Sequence, residues 1–190
     1  MLVATVSALA DVSVLPAAAP QLWVYGEVPA WDIADEGLPF RLTVALPSRR
    51  DPLARLLFAT EARWTLSLGY ARIHDSYDAT TGVFKNPGGD ALLASAGREY
   101  RWALPRFAGR FTPQLAIDTG VNLASRPFPA DGTRGTIKVI TGLEWSRRAN
   151  AGNDEWTAGI AWAHFSNANL FSRNAGYDGL VFRIGRSWRR

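Results

Sequence analysis

The chain has 190 residues, 47% of them apolar, with eight tryptophans, no cysteine and a formal net charge of +4. That length sets one domain as the expectation, and the apolar and aromatic content excludes a disordered chain. The lack of cysteine excludes disulfides and thiolate metal sites. No run of about 18 apolar residues occurs, which excludes a membrane-spanning helix. The positive charge is carried mostly by scattered arginines, with a run at the tail, Arg186, Arg189 and Arg190. Scattered charge reads first as a solvated surface and second as affinity for anionic partners such as phosphorylated lipid. Nucleic-acid binding has no motif to support it and is not expected.

The first stretch, residues 1–20, is small and apolar and ends near Ala17-Ala18-Ala19. It lacks an early Lys or Arg and contains Asp11, so it reads as a truncated export signal or N-terminal segment. Residues 21–190 read as a single barrel domain. Period-two alternation then recurs along the chain, the mark of strands with two different faces. Phe40, Leu42, Val44 and Leu46 oppose Arg41 and Thr43. Trp64, Leu66, Leu68 and Tyr70 oppose Thr65, Ser67, Gly69 and Ala71. Leu115, Ile117 and Val121 oppose Asp118, Gly120 and Asn122. Ile137, Val139, Leu143 and Trp145 oppose Lys138, Gly142 and Glu144. Leu180, Phe182, Ile184 and Trp188 oppose Gly179, Arg183, Gly185 and Ser187. Eight strands are predicted near 21–28, 39–46, 59–74, 91–103, 112–123, 135–147, 155–166 and 177–188, with no helix. The apolar stretch "LARLLF" (residues 53–58) reads as an extension of the third strand.

The predicted fold is all-β. In a soluble barrel of lipocalin type the bulky face would point inward. In an outer-membrane barrel the sense is inverted, with bulky residues toward lipid and small or paired charged residues in the lumen. Here the second face is rich in Gly, Ala, Ser and Thr. The aromatics Trp64, Tyr100, Trp102, Trp145, Trp156, Trp162 and Trp188 fall near strand ends, as an interfacial girdle requires. The expectation is therefore an eight-stranded antiparallel β-barrel in a bacterial outer membrane. An even strand number puts both termini on the periplasmic side. Outward hairpins then fall near 29–38, 75–90, 124–134 and 167–176.

"WAHFSNANLFSRNAGYD" (residues 162–178) is the stretch with chemistry in it. Trp156, Ala158, Ile160, Trp162, His164 and Ser166 are two apart and share the bulky, outward face. Asp178 opens the last strand on the outward face as well. An acid, an imidazole and a hydroxyl thus converge on the lipid side at the outer end of the barrel. Polar groups are costly there. A serine becomes a nucleophile when a base takes its proton and an acid orients that base. Ser166, His164 and Asp178 supply these parts, and Asn167 and Asn174 are candidate donors to an oxyanion. The alternative is plain: wet interfacial residues and turn formers at a strand end.

This stretch resembles the signature of the PagL-type outer-membrane lipid A 3-O-deacylases, also grouped with acyloxyacyl hydrolases. The matching elements are His164-Phe165-Ser166-Asn167 and Asn174-Ala175-Gly176-Tyr177-Asp178. The resemblance implies an eight-stranded barrel with an external triad, Ser166 as nucleophile, His164 as base and Asp178 as the orienting acid. It also implies lipid A (lipopolysaccharide) in the outer leaflet as the partner, and leaves a homodimer open. The family acid is usually Glu. Asp178 is one methylene shorter, so its carboxylate is expected to need a backbone shift or a bridging water. No metal or organic cofactor is expected. His74 with Asp75 and Asp78 reads as an interfacial or loop group rather than a metal site, and "NPGGD" (residues 86–90) as turn chemistry. The competing reading is a non-enzymatic small barrel, structural or adhesive, with a degenerate site.

Overall fold

The computed structural model describes residues 21–32, 37–48, 50–78, 80–105, 111–148, 154–168, 170 and 176–189. The N-terminal segment, residues 1–20, lies outside the described residues. In chain order the elements are β1 (Gln21–Asp32), β2 (Gly37–Pro47), α1 (Pro52–Leu56), β3 (Glu61–Ile73), β4 (Ser76–Tyr77), β5 (Phe84–Asn86), β6 (Gly89–Ala103), β7 (Thr112–Phe128), β8 (Thr133–Arg148), β9 (Glu155–Ser166) and β10 (Tyr177–Arg189). β4 and β5 pair only with each other, in the β3–β6 connection. The others form a closed antiparallel barrel, β1-β10-β9-β8-β7-β6-β3-β2. Closure runs from Gln21 opposite Arg189 to Asp32 opposite Gly179. The barrel strands are 11 to 17 residues long, enough to cross a bilayer when tilted.

Period two sets which way each side chain points. Leu42, Leu66, Leu68, Leu92, Val121, Leu123, Phe182 and Ile184 are all exposed on the outer wall. An apolar band of that extent is stable only against lipid. The bulky faces therefore point outward, which overturns the lipocalin-type alternative.

The lumen is filled by charge. Arg183 donates to Glu99 at 2.8 Å and Glu144 at 2.5 Å, and pairs with Glu27 at 3.1 Å. Arg101 bridges Glu99 at 2.9 Å and also binds Glu144. Arg41 pairs with Glu27, and Arg63 lies over the Trp23 ring at 4.0 Å while bonding Glu61 at 2.7 Å. Lys138 donates to Asp118 at 2.7 Å, and Thr65 donates to the same carboxylate at 2.9 Å. So several arginines that read as surface charge are buried inside the barrel. Gly97 and Gly120 face each other across β6 and β7. A Cβ at Gly120 would lie 2.1 Å from the Ala96 carbonyl oxygen, so these strands approach in a way that only glycine permits.

Two expectations are corrected. Residues 52–56 are helical, not part of the third strand: Asp51 caps the helix by accepting from Leu53 N–H (3.0 Å) and Ala54 N–H (3.2 Å), with proline following the cap. Proline and an N-cap aspartate favour a helix start over a strand. β7 also runs on to Phe128, so the β7–β8 hairpin turns tightly at residues 129–132 instead of looping over 124–134.

Removing one member of a buried ion pair leaves the other charge unpaired, at a cost of about 3–5 kcal/mol. Lys138→Met is expected to show that loss in urea unfolding of the refolded barrel. Lys138→Met/Asp118→Leu together should recover most of it, and equal losses in both variants would contradict the pairing.

Candidate active site

The site is built by the last hairpin. In the β9–β10 register Asp178 stands directly opposite His164, which brings the two outward side chains close enough to bond. His164 Nδ1 lies 2.9 Å from Asp178 Oδ1, and His164 Nε2 lies 2.9 Å from Ser166 Oγ. A carboxylate only accepts, so Nδ1 of a neutral imidazole carries its proton toward Asp178. Nε2 is then the acceptor for the Ser166 hydroxyl. The shorter acid reaches the ring directly, without a bridging water.

The side chains of His164 and Asp178 are 28% and 38% exposed. On the β8 side, Val139 and Ile137 stand opposite His164 and Ser166. The three side chains therefore sit on the lipid-facing wall, at the end of the barrel away from the termini.

Three features hold it. The Trp162 indole stacks on the His164 ring, with centroids 5.3 Å apart and planes 20° apart. Behind the site, inside the barrel, Phe128, Phe165 and Tyr177 pack at centroid distances of 5.2 to 5.8 Å. Arg41 lies over the Phe165 ring, joining this aromatic cluster to the charged lumen. Gly176 closes on the triad from the loop: a Cβ there would lie 3.3 Å from Ser166 Cβ and 3.4 Å from His164 Cε1. The chain bends away after Ser166 through Ala168, whose φ of 50° is in the left-handed region, an uncommon conformation for alanine.

Of the residues named from sequence, Ser166, His164 and Asp178 come together. Asn167 is buried, and its carbonyl accepts from Leu170 N–H at 2.9 Å. It lines a cavity of about 190 Å³ with Val121, Leu123, Ile137 and Leu170. Asn174 lies outside the described residues. Trp162 and Gly176 are the positioning residues that sequence reasoning missed. Trp162 was legible as a neighbour two residues from His164 on one face, and Gly176 only as part of a motif. A second apolar depression of about 630 Å³ shares Val121 and Leu123 with the first and continues over Ala94 and Ala96 to Leu66 and Leu42.

Next to His74, the carboxylates of Asp75 and Asp78 are taken up by local hydrogen bonds. Asp75 accepts from Gly88 N–H at 2.7 Å. Asp78 accepts from Thr80 and Thr81 N–H and from the Thr81 hydroxyl. Those bonds to Thr81 and Thr80 hold its carboxyl low, at about 2. Among the described residues no cluster of His, Asp and Glu could hold a metal ion.

The fold and its outward apolar band define an eight-stranded antiparallel β-barrel of the bacterial outer membrane. Neither a protein family nor a curated protein sequence matches the chain. Solved structures do. The barrel is similar to the outer membrane enzyme PagL, with a TM-score of 0.60 and 16% identity over 86% of this chain and 97% of that one. It is also similar to Neisserial surface protein A, with a TM-score of 0.50 and 13% identity over 90% and 96%. At these identities the likeness is one of fold.

With histidine isotopically labelled, the refolded protein is expected to show one slowly exchanging, downfield Nδ1 proton from His164. Asp178→Ala should abolish it. The same resonance in that variant would mean that the carboxylate does not hold the ring.

Proposed function

We propose that the protein is an outer-membrane esterase that removes the ester-linked 3-hydroxyacyl chain from the 3-position of lipid A. The observation that carries this reading is the pair of 2.9 Å contacts linking Ser166, His164 and Asp178. Their place on the lipid-facing wall, at the outer-leaflet end, supports a lipid ester as substrate. The motif at His164–Asn167 and Asn174–Asp178, similar to that of lipid A 3-O-deacylases, supports lipid A in particular.

The proposed chemistry uses these three groups in turn. Ser166 Oγ attacks the ester carbonyl carbon while His164 Nε2 takes its proton. The resulting imidazolium is stabilised by Asp178. Collapse of the tetrahedral adduct breaks the bond to the sugar oxygen, which receives the proton from His164. The acyl chain is left on Ser166. Water then attacks that ester, giving its proton to His164 and releasing the 3-hydroxy fatty acid. His164 returns the proton to Ser166.

Asn167, at the strand end next to Ser166, is a candidate donor to the oxyanion, and Asn174 is a second from the motif. The depressions along Ile137, Leu123, Val121 and Ala94–Ala96 supply an apolar track beside Ser166 for acyl chains. Exposed arginines offer partners for the lipid phosphates.

The test is incubation of the refolded barrel with purified lipid A, read by mass spectrometry. The expected result is loss of one hydroxyacyl mass. Ser166→Ala should slow it by more than about a thousandfold, and Asp178→Asn by about 10³–10⁴. An intact lipid A after incubation with a folded, heat-modifiable barrel would contradict the reading and favour a non-enzymatic surface barrel.

A further inference from the structure

The periplasmic β2–β3 connection carries a second feature, independent of the proposed enzyme. Its helix α1 places Leu53, Leu56 and Leu57 at the spacing of one helical face, and all three are exposed. Phe58 follows, 87% exposed and with a φ of 52°. That conformation is costly for an aromatic residue and cheap for Gly or Asn. Water is a poor environment for such a ring at such a turn.

The contacts of the segment say where it lies. Arg98, Tyr100 and Trp102 alternate with the luminal Glu99 and Arg101, so they point outward from β6. Arg98 donates to Ser48 at 2.8 Å and also binds Asp51, the helix cap. Its guanidinium stacks on Trp64 at 3.5 Å. Trp102 donates its indole N–H to the Leu57 carbonyl at 3.0 Å. Tyr100, between them, is buried. The helix is thus folded against the outer wall rather than across the barrel mouth. It is continuous with the outward aromatics Trp64 and Trp102 and with the lipid-facing band.

The charges match one kind of lipid. Arg50 and Arg55 are exposed, while the one acid of the segment, Asp51, is already paired with Arg98. The free charge of residues 50–58 is therefore positive, as suits anionic phospholipid headgroups.

We infer that residues 50–58 are an interfacial anchor that inserts Leu53, Leu56, Leu57 and Phe58 among anionic phospholipids of the periplasmic leaflet. The anchor fixes the height of the barrel in the membrane, and with it the height of the opposite rim.

The natural chain has no cysteine, so Phe58→Cys carries a single thiol for an environment-sensitive fluorophore. The protein is refolded into phosphatidylethanolamine/phosphatidylglycerol vesicles, with Thr81→Cys in the opposite loop as the aqueous control. The fluorophore on Phe58→Cys is expected to lose most of its emission to a phospholipid bearing a nitroxide near its headgroup, and little to iodide. The control should show the reverse. Leu56→Cys repeats the measurement if Phe58→Cys does not fold. Replacing phosphatidylglycerol with phosphatidylcholine is expected to raise iodide quenching several-fold. Quenching by iodide and not by lipid in both variants would overturn the anchor and leave this surface for a periplasmic protein. A depth insensitive to lipid charge would overturn the preference for anionic lipid.

Discussion

The structure depends on the ion network that fills its lumen. Arg183 is bonded to Glu99 and Glu144 and paired with Glu27, and Arg101 closes the ring by binding Glu99 and Glu144. Each of these charges would be very costly to bury alone. With Arg41 and Arg63 they offset one another's charge and occupy the space that a narrow eight-stranded barrel encloses. Among the described residues, a lumen filled this way is lined by bonded polar and charged side chains. It also sets parity on the strands that carry it, and Thr157, bonded to Glu144, extends it to β9: once these residues are inside, the alternate residues face lipid.

That constraint explains the position of the candidate triad. His164, Ser166 and Asp178 obey the same parity as Trp162 and Leu180, so they stand outside with the apolar band. Their backbone is held from within by Phe128, Phe165 and Tyr177, and Arg41 ties this cluster to the network through Phe165. The polar site is thus a surface feature on a rigid wall. An arrangement of this kind suits a substrate that arrives laterally within the membrane. It gives support to the groups that the proposed catalysis requires to be held in place.

The fold was largely legible in the sequence because period two survives in nearly every strand, and the meeting of Ser166, His164 and Asp178 was legible because parity alone carries all three to one face. What escaped notice has specific physical reasons. The partner of Arg183 in the lumen, Glu99, is 84 residues away, and no local pattern joins them. Helix α1 was hidden by an apolar run that reads equally as strand, although Asp51-Pro52 carried the cap signal. The reach of Asp178 to the imidazole depends on β9–β10 register, which the intervening turn does not declare. Gly176 matters through its close approach to Ser166 and His164, which composition cannot express.

The central claim is that the external Ser166, His164 and Asp178 work as one activated nucleophile. A long-chain alkyl fluorophosphonate added to the refolded barrel tests it directly, with the adduct located by mass spectrometry. The account predicts one adduct, on Ser166, absent from His164→Asn and from the urea-unfolded chain. Failure of the folded protein to react, or equal labelling of the His164→Asn variant, would contradict it.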